Sequence, residues 1–233
     1  DIGCGMCAVK TNWKASSISP NVIRQKILNG IRKRIPLGCE HHKHPQDEMY
    51  LPTKHDIDKL NIVRRRQEHI KKEVGTLGGG NHFIELQKDE EDFLWIMIHS
   101  GSRNLGKQVG EHYNNVARTL NERWHSVVPT EIRLPFLPLR SNEFTDYWNE
   151  MRYCIDFALC NRKLMMQRVE EVISDSLPNI KFEPMINIAH NYAVWERHYG
   201  MSVIVHRKGA TLAQKGTIGI IPGSQGTASY IVE

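Results

Sequence analysis

No stretch of the 233 residues approaches the ~18 consecutive apolar positions that a membrane-spanning helix needs, and the first residues lack the charged-then-apolar layout of a secretory signal. No membrane partner is therefore expected. Cysteine is scarce and irregular: the five thiols do not form the even pattern of a disulfide framework, so a reducing cytoplasm is expected. Cys4-Gly5-Met6-Cys7 is a C-x-x-C, but the chain has no second one, which excludes a zinc ribbon. It also has no βαβ setting of the kind a thioredoxin-like redox motif requires. Neither sign of charge dominates. Lys and Arg number 31 against 26 Asp and Glu, giving a net charge of +5 and a pI near 8.9. That mild excess suits a polyanionic partner such as nucleic acid without demanding one. Internal repeats and low-complexity segments are absent. The chain begins at Asp1 rather than Met and ends at Glu233 inside an apolar run, so a piece of a longer protein is expected.

What the chain does have is histidine, twelve of them, which points toward metal. Residues 75 to 106 hold the densest pattern. Two strand-like runs, His82 to Leu86 and Phe93 to Ile98, flank a short acidic connection, Asp89 to Asp92. Paired as an antiparallel hairpin, they bring His82 and His99 to the same end of a sheet. Small and polar residues adjoin each histidine: Gly78-Gly79-Gly80-Asn81 before the first, Ser100-Gly101-Ser102-Arg103 after the second. Imidazoles beside unobstructed backbone amides can hold a metal and an anion together.

Around this centre the remaining chain reads as helices mixed with hairpins. Helical periods run over Asn21 to Arg34, Asp56 to Val74 and Lys107 to Trp124, and longest over Thr145 to Leu177. The last carries Trp148, Met151, Ile155, Leu159, Met165, Val169 and Val172 on a stripe whose ordinary purpose is core packing. Cys39 to Pro52 is a polar loop, and Val128 to Leu139, with three prolines, is a connector. Two apolar runs surround His190-Asn191, and two β-rich runs close the chain on either side of Pro222-Gly223-Ser224-Gln225-Gly226. Helices interspersed with hairpins favour an α+β class over a doubly wound sheet.

Asp1-x-x-Cys4 sets a carboxylate and a thiol three residues apart in a glycine-rich turn. A thiolate can bridge two metals, and the carboxylate adds hard-ligand character suited to Mn or Zn. His82, His99 and His190 each stand at the edge of a strand-like run and would complete such a site. His41, His42 and His44 form a second cluster in a loop without a rigid scaffold. Gly78 to Asn81 and Pro222 to Ser229 are two candidate phosphate nests, with Arg103, Arg207 and Lys208 as candidate phosphate contacts.

Six segments, DIGCGM (1–6), GTLGGGNHFIE (75–85), HSGSRNLG (99–106), HNY (190–192), HRKGAT (206–211) and IIPGSQGTAS (220–229), resemble in order and spacing the motifs of the RtcB family. These are GTP- and manganese-dependent RNA ligases of tRNA splicing and RNA repair. The resemblance spans the whole chain. It implies an RtcB-like fold with mixed and antiparallel sheets and flanking helices around a central metal cleft. It also implies that residues 1–233 form a single catalytic domain, truncated at its C-terminal side.

On the same ground Asp1, Cys4, His82, His99 and His190 are expected to ligate two Mn²⁺ ions, with Cys4 bridging. Asn81 and Asn191 are expected on the guanylate phosphate, Glu85, Ser224 and Ser229 on the nucleotide, and Arg103 in the RNA or phosphate region. The implied reaction joins RNA 3′-phosphate or 2′,3′-cyclic phosphate ends to 5′-hydroxyl ends through histidine–GMP and RNA–ppG intermediates. GTP and RNA are the implied partners, in a monomer or a homodimer. The family's nucleophilic histidine lies in a Ser-His-Gly-Ala-Gly-Arg motif that these residues do not contain, so metal binding without completed ligation is expected of them.

Cys7 stands where relatives often carry Asn, and is expected to add a thiolate near the metals and make the site prone to oxidation. Gln225 stands where Met is usual. Two other functions fit the same residues: a dinuclear phosphatase, nuclease or 3′-phosphate-capping enzyme, and a metal- or redox-sensing module built on Cys4 and Cys7.

Overall fold

The computed structural model describes residues 1–126, 130–132, 134–224 and 226–233, so Val128, which opens the expected connector, and Gln225 lie outside the described residues. The architecture is mixed, with antiparallel sheets and flanking helices, in the expected α+β class. Its centre is a four-stranded sheet in the order β2-β3-β1-β4, every pair antiparallel. The strands are β1 (Gly5–Lys14), β2 (Phe83–Lys88), β3 (Phe93–Ser100) and β4 (Ile186–Ala189).

The expected hairpin is present, with Phe83 opposite His99 and Lys88 opposite Leu94. Asp89 shapes its turn by accepting from the backbone N–H of Phe93 (2.8 Å) and Glu91 (3.1 Å) and from the Trp95 indole (3.1 Å). Because β1 and β3 are inner strands, they are apolar on both faces rather than one. Cys7, Val9, Leu94, Ile96 and Ile98 face one way, and Met6, Ala8 and Met97 the other.

The helix α4 (Asn142–Ser174) covers the first face. At 33 residues it is roughly 50 Å long. Its first turn is capped by the Ser141 hydroxyl, which accepts from Phe144 N–H at 3.1 Å. Met165, Met166, Val169, Val172 and Ile173 of α4 meet the sheet. They also meet Ile27 of a π-helical stretch (Val22–Leu28) and Ile31 of the short α1 (Asn29–Arg34) that continues it.

Earlier residues of α4, Tyr153, Cys154, Phe157 and Leu164, form a second core with α2 (Asn61–Glu73) and α3 (Leu105–Arg123). Glu150 of α4 is buried and accepts from Ile62 N–H at 2.9 Å, satisfying a donor at the start of α2. The opposite face of the sheet receives Ile220 from β7 (Gly219–Ile221), which pairs with β8 (Tyr230–Val232).

A hairpin of β5 (Asn191–His198) and β6 (Met201–Lys208) follows directly on β4. Its two-residue turn, Tyr199-Gly200, has φ of +50° and +80°, the signs that match the right-handed twist of the strands. Among the described residues no helix is long and apolar enough to cross a membrane.

Candidate metal centre

The five donors expected from the sequence meet at one end of the central sheet. Cys4 sits in the turn entering β1, His99 near the end of β3, His82 just before β2, and His190 between β4 and β5. Asp1 opens the chain beside them. Cys4 Sγ lies 3.2 Å from His99 Nε2 and 3.5 Å from His82 Nε2, and His99 Nε2 lies 3.3 Å from His190 Nε2. Asp1 Oδ2 lies 3.4 Å from His82 Nε2. The donors fall into two groups, Asp1–Cys4–His82 and Cys4–His99–His190, each with its ligand atoms within 4.8 Å of one another. The sulfur of Cys4 belongs to both.

Backbone carbonyls set which ring nitrogen faces inward. His82 Nδ1 is 3.0 Å from Leu77 O, and His99 Nδ1 is 3.0 Å from Asn81 O. A carbonyl only accepts, so each Nδ1 carries the proton and each Nε2 turns its lone pair toward the donor cluster. Burial, opposed by those carbonyl bonds, holds the pKa of His82 and of His99 below the usual imidazole value. Burial, with the neighbouring His99 and Arg162, brings His190 down to about 4. The three rings are thus neutral near pH 7, the form that binds metal. Burial pushes the Cys4 thiol up, while the positive charge of Arg162 pulls it back. A soft sulfur, a carboxylate and neutral imidazoles make a donor set fit for a first-row divalent cation.

The local sequence explains the approach of these groups. Gly101 lets Asp1 in, for a Cβ there would overlap the Asp1 carboxylate. Ser102 Oγ donates to Ile2 O (2.6 Å), lies 3.1 Å from Asp1 Oδ1 and accepts from Gly106 N–H (3.0 Å), anchoring the first residues to the start of α3. Gly78, at φ +92°, leaves room for the Arg103 guanidinium, which a Cβ would overlap.

The other candidates divide. Asn191 donates to Asp1 O (3.0 Å) and accepts from Gly209 N–H (2.7 Å), so most of its carboxamide secures the chain around the donors. Arg103 donates from Nε to Thr76 Oγ1 (2.8 Å) and from Nη2 to Gly38 O (3.0 Å). Asn81 is exposed beside His82. Glu85 and Ser229 meet through Gln87, whose Nε2 donates to Glu85 Oε2 (2.7 Å) and to Ser229 Oγ (3.2 Å). Ser229 also accepts from Gly223 N–H at 2.9 Å, linking the Pro222 to Ser229 loop to the sheet. Ser224 is exposed, and its N–H donates to Thr227 Oγ1 within that loop. Arg207 is held by both Glu196 carboxylate oxygens.

One expectation is corrected. Cys7 is not a stray thiolate beside the donors. Strand alternation turns it into the core under α4, fully buried, with its thiol 4.0 Å from Arg162 O and pushed by burial up to about 12. His41, His42 and His44 join no donor group among the described residues. What pattern reading missed is Asn161-Arg162 of α4, both fully buried. The available signal was an amide and a cation interrupting an apolar stripe, where burial demands partners.

A mixed fold that gathers one thiol, one carboxylate and three imidazoles, the thiol shared between two groups, defines a protein with donor groups that could hold metal ions. Comparison with known proteins then gives the family: the chain belongs to the RtcB family, described as "tRNA-splicing ligase RtcB", which matches residues 1–233. Among curated relatives, the "RNA-splicing ligase RtcB" of Escherichia coli K12 is 32% identical over an alignment covering 100% of this chain and 61% of that protein. The "tRNA-splicing ligase RtcB" proteins of Thermococcus kodakarensis and Methanococcus maripaludis are 26% and 28% identical over the same shares. The chain thus spans about 61% of the length of these relatives.

Proposed function

We propose that these residues are the metal-binding part of a GTP-dependent RNA ligase that joins 3′-phosphate or 2′,3′-cyclic phosphate ends to 5′-hydroxyl ends. The observation that carries this reading is the pair of donor groups sharing Cys4, in a chain that matches the RtcB family from end to end. Asp1, Cys4 and His82 would hold one Mn²⁺ and Cys4, His99 and His190 the other. When bound, the two cations neutralise phosphate charge and polarise the phosphorus–oxygen bonds that react.

The rest of the work falls to side chains arranged around that centre as one catalytic domain with a central cleft. Asn81, exposed beside His82, donates to the guanylate phosphate. Asn191 holds Asp1 in register and offers its remaining N–H to the same phosphate. Glu85 and Ser229, already connected through Gln87, bind the nucleoside, with Glu85 on the base and Ser224 closing over it from the loop. Arg103 keeps Nη1 for phosphate while Thr76 and Gly38 hold the rest of its fork. RNA is held through its backbone, so affinity falls with salt and depends weakly on sequence. All five cysteines are free, which supports the cytoplasm as the compartment.

The test is to incubate the full-length protein with Mn²⁺ and GTP radiolabelled at the α-phosphate, then to supply RNA with 3′-phosphate and 5′-hydroxyl ends. An acid-labile protein–guanylate adduct and joined RNA are expected. Absence of the adduct with metal demonstrably bound, or release of phosphate or capped ends in place of joined RNA, would defeat the reading.

A further inference from the structure

Four stretches of chain carry the donors: the loop before β2 and the end of β3 belong to one hairpin, and the turn before β1 and the β4–β5 junction are far from it in sequence. Helix α4 carries none. Yet two adjacent α4 residues, Asn161 and Arg162, both fully buried, reach all four stretches. Arg162 Nη1 donates to Gly3 O, next to Cys4, and to Ser100 O, next to His99, each at 2.9 Å. Its Nε donates to Asn187 Oδ1 at 2.7 Å, in the short strand that leads to His190. Asn161 Oδ1 accepts from Gly75 N–H (2.7 Å) and Thr76 N–H (3.1 Å), at the base of the loop that ends in His82. Its Nδ2 donates to Thr76 O (3.2 Å), Ser100 Oγ (3.2 Å) and Gly101 O (3.1 Å), bridging that loop to the end of β3.

A buried guanidinium surrounded by carbonyl oxygens, with no carboxylate partner among the described residues, is costly to place in a core. Its Nη2 has no hydrogen-bond partner among the described residues. Leucine would fill the same helix position at lower cost if packing were the only demand. The planar fork is what lets one side chain grip two carbonyls and an amide oxygen at fixed angles.

We propose that Asn161 and Arg162 are positioning residues for the metal centre: a paired brace on α4 that fixes the spacing of the four donor-bearing segments without touching the ions. The proposal rests on the metal-centre reading and deepens it. Ligand geometry is then set by a helix lying across the sheet from the donors, and loosening the brace degrades metal binding more than it degrades the fold.

The experiment uses the full-length protein with Co²⁺ as the probe. It compares wild type, Arg162→Met, Arg162→Lys, Asn187→Ala, and a control of matched stability, Val169→Ala, two turns further along α4. Thermal unfolding without metal reports the fold; calorimetric affinity and the sulfur-to-cobalt charge-transfer absorption report the site. Arg162→Met is expected to bind Co²⁺ about 10–100-fold more weakly, with a diminished charge-transfer band. Val169→Ala, destabilised to a similar midpoint, is expected to keep both. Arg162→Lys, which retains charge but cannot fork, should recover only part of the loss.

A folded Arg162→Met with wild-type affinity and spectrum would overturn the proposal. So would equal weakening in Val169→Ala, or full recovery in Arg162→Lys. If Arg162→Met does not fold, Asn187→Ala decides, since it removes one grip of the brace: several-fold weaker binding supports the proposal and unchanged binding overturns it. Failure of the wild-type chain to bind Co²⁺ would overturn the metal-centre reading and the brace with it, whereas the other adverse results overturn the brace alone.

Discussion

Cys4 Sγ and His99 Nε2 lie 3.2 Å apart although 95 residues separate them in sequence. The contact exists because β1 and β3 pair with Gly5 opposite Ser100 and Met6 opposite His99. That register brings the turn before β1 level with the last residues of β3. The sulfur consequently reaches both imidazoles from the hairpin.

The two cysteines of the C-x-x-C should separate cleanly by substitution. Cys4→Ser removes the donor common to both groups and is expected to weaken metal binding by at least the ~10–100-fold that follows loss of an outer partner. Cys7→Ser instead buries a hydroxyl under α4. It should leave metal stoichiometry unchanged and lower stability by about 1–3 kcal/mol. Metal titration and denaturant unfolding of the two variants distinguish the metal centre from a redox module, which would need Cys7.

The histidines should separate by group. His82→Ala removes a candidate donor that groups only with Asp1 and Cys4, while His99→Ala and His190→Ala each strike the other group. Metal analysis of the purified chain is expected to fall from two equivalents to one in every case, with the fold intact. Retention of two tightly held equivalents in His99→Ala would show that the ring is not a ligand.

A glycine supplies a steric test. Gly101→Ala places a methyl group where the Asp1 carboxylate sits. The substitution should expel Asp1 and weaken the Asp1–Cys4–His82 site selectively. Calorimetric titration is expected to show one weakened class of site beside one unchanged class.

Acid sensitivity should arise partly at the β2–β3 turn. Burial would raise the Asp89 pKa, but hydrogen bonds from Lys10, the Trp95 indole and Phe93 N–H outweigh it and hold the carboxyl at about 2, below its ordinary 3.8. A depressed folded-state pKa contributes stability above the unfolded value and loses it as pH falls through the folded one. The Asp89 contribution is therefore present above about pH 4 and vanishes toward pH 2. Asp89→Asn should flatten the fall in unfolding midpoint across that window. An unchanged pH profile would remove Asp89 as a source.

Much of this arrangement could be read from residue order. The hairpin was legible because strand-period runs flanked an acidic turn, and its geometry alone put His82 and His99 together. The helix α4 was legible as a helix from its apolar spacing. Its polar pair was not, because periodicity weighs apolar positions and treats Asn161 and Arg162 as interruptions. Cys7 was misplaced for a related reason. Spacing of three from Cys4 suggests proximity, but only pairing of β1 with β3 and β4 reveals which face a residue takes. Two apolar runs were legible around His190-Asn191, but the β5–β6 hairpin was not, since Tyr199 in its turn adopts a left-handed conformation that Tyr rarely signals.

The order of the central sheet carries one more consequence. Its neighbours β3, β1 and β4 come from the middle, the start and the last quarter of the chain, so no partial hairpin can assemble the donor set. A cation that recognises only the completed sheet acts as a latch on the native state. At a free concentration 100 times its dissociation constant it would add about 2.7 kcal/mol of stability. Metal supply would thereby govern how long the folded molecule persists.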